Sequence, residues 1–352
     1  MTSTLRVTAA AAAAVFLAFL SGCDDGKQGP PPAPPAPPPP AVSLAPKLIE
    51  QASAYRYYMS HATAITPDFT DGESIARSLK VGASYEPVQL LRGAIAYGAV
   101  AALQDPDFVA AVRTFSVDPE QRRQVAAQIV QNPAYVVGIA GSASAAGLAV
   151  AALGQEGQKL YDAGKAVKQS AYEIQKQKWS KADVANRDLR LSQAKALSAT
   201  PLVGDLDETA RLQQAVVGAQ PMGLTGAAAA PPYTPVVVRS LAVAALAILG
   251  EAGDANLDTV MAVMAEPNVG FCMNMAKLNL YQCLAVAKPH YEDVFCLGQH
   301  IMMDTGRCVI KASGLPEPYE AKFVPTVRVA TTENAYKPTV AKAGGKGSAK
   351  KR

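Results

Sequence analysis

Cysteine and histidine are the side chains in this sequence whose chemistry depends most on spacing, and they gather near the C-terminus. Cys272, Cys283, Cys296 and Cys308 follow one another closely, with His290 and His300 among them. Thiols in that arrangement can pair as disulfides, hold a metal as thiolates, or run redox exchange. A tetrahedral zinc site or a redox pair is usually built on a C-x-x-C step, and the sequence has none. Disulfide pairing is therefore the expectation, and no metal ligand or cofactor is assigned. Zinc held by these cysteines with His290 and His300 is the rival reading that lacks the spacing.

The pairing can be argued from helix geometry. Cys272 and Cys283 are eleven positions apart, which at about 100° per residue returns almost to the same helix face. Lys288-Pro289 marks a turn, with a second helix beginning near Tyr291. Across an antiparallel hairpin about that turn, Cys283 faces Cys296 and Cys272 faces Cys308, a nested ladder among the three connectivities open to four cysteines. The arrangement resembles the twin-cysteine helical hairpins of coiled-coil-helix proteins of the mitochondrial intermembrane space. Those keep nine residues between cysteines, whereas the intervals here are ten and eleven, so the likeness implies geometry and no function.

Other chemistry is sparse. The three histidines, His61, His290 and His300, sit in no H-E-x-x-H frame, and no G-x-S-x-G, phosphate-binding loop or dinucleotide fingerprint occurs. Ser192-Gln193-Ala194-Lys195 fits S-x-x-K but has no K-T-G or S-D-N beside it. Glu73, Glu86 and Asp107 stand where a first-turn acid favours the helix dipole. Tyr55, Tyr57, Tyr58 and His61 crowd one early helix, and Tyr57 with His61, one turn apart, could line a pocket. No catalytic residue is assigned, and the pattern points to binding more than to catalysis.

The N-terminus says where this chemistry takes place. Arg6 precedes an apolar, Ala-rich stretch from Val7 to Leu20 that ends in small residues, the pattern of a secretory signal peptide. The stretch is shorter than the roughly 20 residues that a membrane-spanning helix needs. Leu20-Ser21-Gly22-Cys23 resembles the lipobox of bacterial lipoproteins. That resemblance implies cleavage before Cys23, removal of residues 1–22, and diacylglycerol on the Cys23 sulfur. It places the chain in the bacterial cell envelope, facing the periplasm and held to a lipid bilayer by its acyl chains. In enteric lipoproteins an aspartate at the position of Asp24 favours the inner membrane; inner and outer membrane both stay open. Export also supplies the oxidising compartment that paired thiols require, and setting Cys23 apart leaves an even set of four.

The elements that must carry these features are helical. Alanine supplies much of the 49% apolar content and aromatics are only 6%, which predicts an all-α fold, an Ala-rich multi-helix bundle or stacked short helices. Residues 23–43 form a lipidated tether whose GPPPAPPAPPPPA run is stiff polyproline II. Residues 44–265 form the helical body, with a break near 201–235 separating two halves. Residues 266–312 are the four-cysteine αα-hairpin packed on it, and 313–352 an extended basic tail.

Helix starts are marked by Asp105-Pro106, Asp118-Pro119 and Asn132-Pro133, and more weakly by Ser84, Thr66-Pro67 and Thr234-Pro235. They predict helices near 45–64, 71–80, 85–104, 106–115, 119–131 and 133–153. A basic amphipathic helix over 155–197 follows, with Leu160, Val167 and Ile174 at heptad spacing, then helices at 205–217, 236–249 and 257–265. Val136–Leu153 carries no charge, but its glycine and alanine suit a tightly packed bundle helix better than a membrane span.

Net charge is +4, and the C-terminus holds Lys342, Lys346, Lys350, Lys351 and Arg352 with no acid after Glu333. Such a tail meets envelope polyanions, and no nucleic-acid partner is expected. The functional expectation is a helical binding or scaffolding module for another envelope protein or the cell wall. A cell-wall or lipid-acting enzyme with a site assembled from distant residues, and a carrier of a hydrophobic ligand, are the alternatives.

Overall fold

A computed structural model describes residue 38 and residues 40–319. Cys23 with the residues before it, most of the proline-rich run, and Lys342, Lys346, Lys350, Lys351 and Arg352 lie outside the described residues. Within them the chain is all-α, with no strand. The first five helices are α1 (Pro46–Thr63), α2 (Gly72–Ala83), α3 (Pro87–Ala102), α4 (Pro106–Thr114) and α5 (Pro119–Gln131). A 3-10 turn at Pro133–Gly138 leads into the long α6 (Ser142–Ile174), followed by α7 (Arg187–Ser198), α8 (Leu206–Val216), α9 (Pro235–Ile248) and α10 (Leu257–Val263). The hairpin comprises α11 (Pro267–Val286), α12 (His290–Cys296), a π-helical stretch Leu297–Met303, and α13 (Asp304–Ser313).

Capping residues set most of the boundaries. The Asp105 carboxylate accepts from Phe108 N at 2.8 Å, Asp118 from Glu120 N at 3.0 Å, and Thr234 from Val237 N at 3.3 Å, each with proline at the first helical position. Two expected starts are corrected. Ser84 closes α2, and Glu86 caps α3 by accepting from Val88 and Gln89 N. Thr66-Pro67 lies in the connection before α2, whose cap is Asp71 in a reciprocal box with Ser74.

The core is organised around α3 and α9, in which almost every alanine is buried. Alanine lets these helices approach closely: a Cβ added to Gly98 of α3 would meet the Ser240 side chain of α9 at 2.4 Å or more. One buried cluster runs from Leu44 through α1, α3, α6 and α9 to Ala312. The segment near 201–235 therefore does not divide the body into two cores, because α9 packs directly on α3.

Two expected helices are redrawn at α6. The stretch 133–153 is interrupted at Gly141, whose φ of 76° only glycine adopts readily. From Ser142 the helix runs unbroken to Ile174, about 50 Å, through the boundary expected near 154. The long helix expected over 155–197 instead breaks between 175 and 186. Leu160, Val167 and Ile174 are all buried as its heptad seam, but nothing apolar continues that seam beyond Ile174. Ser180 then donates its hydroxyl to the Ile174 carbonyl and closes the helix end.

The hairpin packs along α6 through glycine. A Cβ on Gly306 would stand 2.7 Å from Tyr161 N, one on Gly298 2.5 Å from Lys168 N, and one on Gly164 2.8 Å from Met303 N. The α6 glycines of this seam, Gly157 and Gly164, are seven positions apart, whereas Gly298 and Gly306 are eight apart. The π-helical stretch between the latter two resolves the mismatch, since an i→i+5 turn holds one more residue than an α turn. The same device explains the cysteines. Cys296 and Cys308 are twelve apart, which in a plain α-helix leaves them about 120° out of phase. With one residue absorbed, the second arm turns as the eleven-residue step of the first arm does. Cys272–Cys308 and Cys283–Cys296 are then joined with Cα separations of 5.9 and 5.7 Å, in the ordinary range for disulfides.

Candidate functional site

The face of α11 turned away from the core carries the first candidate. Gly270, Met273, Ala276, Lys277, Leu280 and Leu284 form its buried side. Phe271, Met275 and Leu278 stand on the opposite side, 67%, 37% and 48% exposed. Their spacing of four and three residues places them on one stripe, about 10 Å long. Glu266 fixes the start of this helix by accepting from Asn268 and Val269 N, and the Cys272–Cys308 bridge ties it to α13. Between α11, α13 and the start of α9 lies an open groove of about 710 Å³, bordered by Val269, Phe271, Met275, Pro235 and Ala312.

The groove's ionic groups are engaged locally. Arg307 stands 3.7 Å from Asp304 and Lys311 3.3 Å from Glu317, while Glu266 serves the helix cap. His300 Nδ1 lies 3.0 Å from Asp304 Oδ2, and of this pair Asp304 lines the groove. An apolar surface whose charged groups are engaged with one another favours contact with an apolar face of a partner over charge-driven chemistry.

Below the stripe, α11 is anchored by a buried lysine. Lys277 is 2% exposed; its Nζ donates to the Ala83 carbonyl at 2.7 Å and lies 3.5 Å from the centre of the Tyr85 ring. Burial holds its amine well below the usual lysine range, and Glu86 only partly opposes that. Ser198 donates to the same carbonyl at 3.0 Å, so α2, α7 and α11 meet at one atom.

A second candidate is a cleft of about 200 Å³ between α2, α7 and α12, lined by His290, Asp293, Arg190 and Gln193 among apolar side chains. Asp293 is 2% exposed, and burial pushes its carboxyl up to about 6 despite the Arg190 guanidinium beside it. Burial, then Arg190, lowers the His290 imidazole. Arg190 also donates to the Leu284 carbonyl, and Arg187 to Ala287 O at 2.8 Å and Ala285 O at 2.9 Å. The two arginines thereby cap the C-terminus of α11, where cations are favoured. Much of this cluster is accounted for by holding α7 and α12 against the hairpin.

The sequence-level candidates are distributed differently. Tyr57 and His61 share a face, but their rings stack with centroids 3.9 Å apart, and His61 Nδ1 lies 2.8 Å from the Tyr57 carbonyl. They border neither the groove nor the cleft. Ser192 of the S-x-x-K match is exposed and donates to Leu189 O at 2.9 Å. Among the described residues no group of three or more His, Cys, Asp and Glu is placed to hold a metal ion, and no helix is long and apolar enough to cross a membrane.

Sequence reasoning passed over Phe271, Met275, Asp293 and Lys277, and read Arg187 as part of the outer face of a basic helix. The signal for the first two was present, since α11 is apolar on both sides while one face suffices for burial. No protein-family model, curated protein or solved structure matches the chain.

Proposed function

We propose that this chain is a lipid-anchored envelope protein whose helical body binds an amphipathic helix of another envelope protein in the groove between α11 and α13. The observation that carries the reading is Phe271 and Met275, exposed one turn apart on the groove edge of a helix held by two disulfides, with Leu278 extending the stripe beyond the groove. Three apolar side chains in that register form a ridge against which a partner helix can pack. The matched charges around the groove would leave apolar burial as the main source of affinity. Placement in the envelope is supported by the lipobox-like Leu20-Ser21-Gly22-Cys23 and fits the paired cysteines. Two substitutions test the two halves separately. Cys23→Ser should abolish incorporation of labelled palmitate into the chain. Phe271→Asp with Met275→Asp should weaken partner binding at least tenfold while leaving the membrane association intact.

The cleft supports a second reading, an enzyme acting on wall or lipid, because a buried carboxyl with a pKa of about 6 beside a histidine suits general acid–base work. Turnover of a wall or lipid substrate that disappears with His290→Ala, in a chain that still folds, would favour it over the groove.

A further inference from the structure

A different surface of the molecule combines lysines with exposed aromatic and aliphatic groups. Between residues 165 and 181 the chain carries Lys165, Lys168, Lys176, Lys178 and Lys181 against a single acid, Glu173. On α6, Lys165, Lys168 and Tyr172 fall within a face about 60° wide, and Lys176 follows in the turn just beyond the helix end. Tyr172 is 50% exposed and meets Phe295 edge-on, with centroids 6.2 Å apart; Lys168 Nζ lies 5.8 Å from the Phe295 ring centre.

Beside this face lies a hollow of about 390 Å³ bordered by Tyr172, Val286, Tyr291 and Phe295. It adjoins a second, of about 330 Å³, reached by Lys181 and Lys288. Val286, at the tip of the hairpin's first arm, is 73% exposed. The acids nearby are Asp162 and Glu173 on the flank of the helix face, with Asp183 and Glu292 beside Lys288; Glu292 accepts from Lys288 N at 2.8 Å.

We propose that the C-terminal half of α6 and the tip of the hairpin form a surface that lies on the headgroups of an anionic phospholipid bilayer. The lysines meet phosphate, and Tyr172 and Val286 enter the interfacial layer, where amphipathic rings and short aliphatic side chains are accommodated. This surface rests on its own residues. The groove and the bilayer contact can fail independently.

The test uses the chain from residue 23 onward carrying Cys23→Ser, so that no acyl chain contributes. Its partition is measured by sedimentation with vesicles of pure phosphatidylcholine and of equal parts phosphatidylcholine and phosphatidylglycerol. A lysine near an anionic surface contributes a factor of roughly five. Lys165→Glu, Lys176→Glu and Lys288→Glu together should therefore lower partition onto the anionic vesicles at least thirtyfold or so at low salt. Tyr172→Ala should lower it roughly threefold, with unchanged melting in both variants. The basic tail is present in every chain compared, so the ratio isolates this surface. Equal partition of wild type and triple variant, or equal binding of wild type to neutral and anionic vesicles, would overturn the proposal.

Discussion

The two faces of the hairpin invert each other. Where α12, the π stretch and α13 meet α6, glycine faces glycine, and Cβ atoms would stand within 3 Å of backbone. Where α11 faces outward, Phe271 and Met275 border an uncovered groove of about 710 Å³, and Leu278 is exposed beside it. The same 47 residues or so thus hold one surface with no spare room and one with nothing filling it. Close packing of the first fixes the position of the second, so the exposed stripe costs little in flexibility when a partner covers it.

The sharpest way to break the closed face is through its register. One extra residue, an alanine inserted after Gln299, should rotate Cys308 out of reach and leave free thiols countable by alkylation and mass spectrometry. Deleting His300 should instead convert the π stretch to plain α-helix and keep both bridges, because the surplus residue is the one removed. Gly306→Leu should destabilise by about 3 kcal/mol or more, read as a lower melting temperature.

Comparable in size are the disulfides. Removing Cys272–Cys308 by paired Cys→Ser should lower stability by about 4 kcal/mol, and removing Cys283–Cys296 by about 3, in the loop-entropy model for separations of 36 and 13. Denaturant titration checks both.

A smaller effect separates the inner side of α11 from its outer side by pH. Lys277 has a depressed folded pKa, so the unfolded chain binds more protons between that value and the ordinary lysine pKa near 10.4. Its contribution to stability therefore rises with pH across that window. Lys277→Met should flatten the slope, seen by comparing denaturation midpoints at mildly alkaline pH values below tyrosine ionisation.

The smallest effect belongs to the open face. Phe271→Asp with Met275→Asp should shift stability by no more than about 0.5 kcal/mol, since both side chains lie outside the core. A large loss would mean that the stripe is structural.

Much of the fold was legible because capping and periodicity act locally. Asp105, Asp118 and the Lys288-Pro289 turn mark their boundaries by single side chains, and the eleven-residue cysteine step follows from helix pitch alone. Tertiary partners decided the rest. The stop at Ile174 is legible only as an absence, because no apolar residue continues the seam of Leu160, Val167 and Ile174 beyond it. The π stretch is likewise invisible in Leu297–Met303 itself and follows only from matching Gly298 and Gly306 to Gly157 and Gly164. The cleft was illegible for the same reason: Arg190 and Asp293 lie 103 positions apart, and only the packing of α7 on the hairpin brings them together. Tyr57 and His61 show the converse, where correct one-turn spacing produced a stacked pair and no opening between them.

The groove is tested most directly by photo-crosslinking in intact cells from a reactive amino acid placed at Phe271, with Val203, 83% exposed and outside the groove, as the control position. One envelope protein should be captured through a helical segment from position 271 alone, and Met275→Asp should abolish the adduct. The same adducts from both positions, or capture unaffected by Met275→Asp, would contradict a docking groove between α11 and α13.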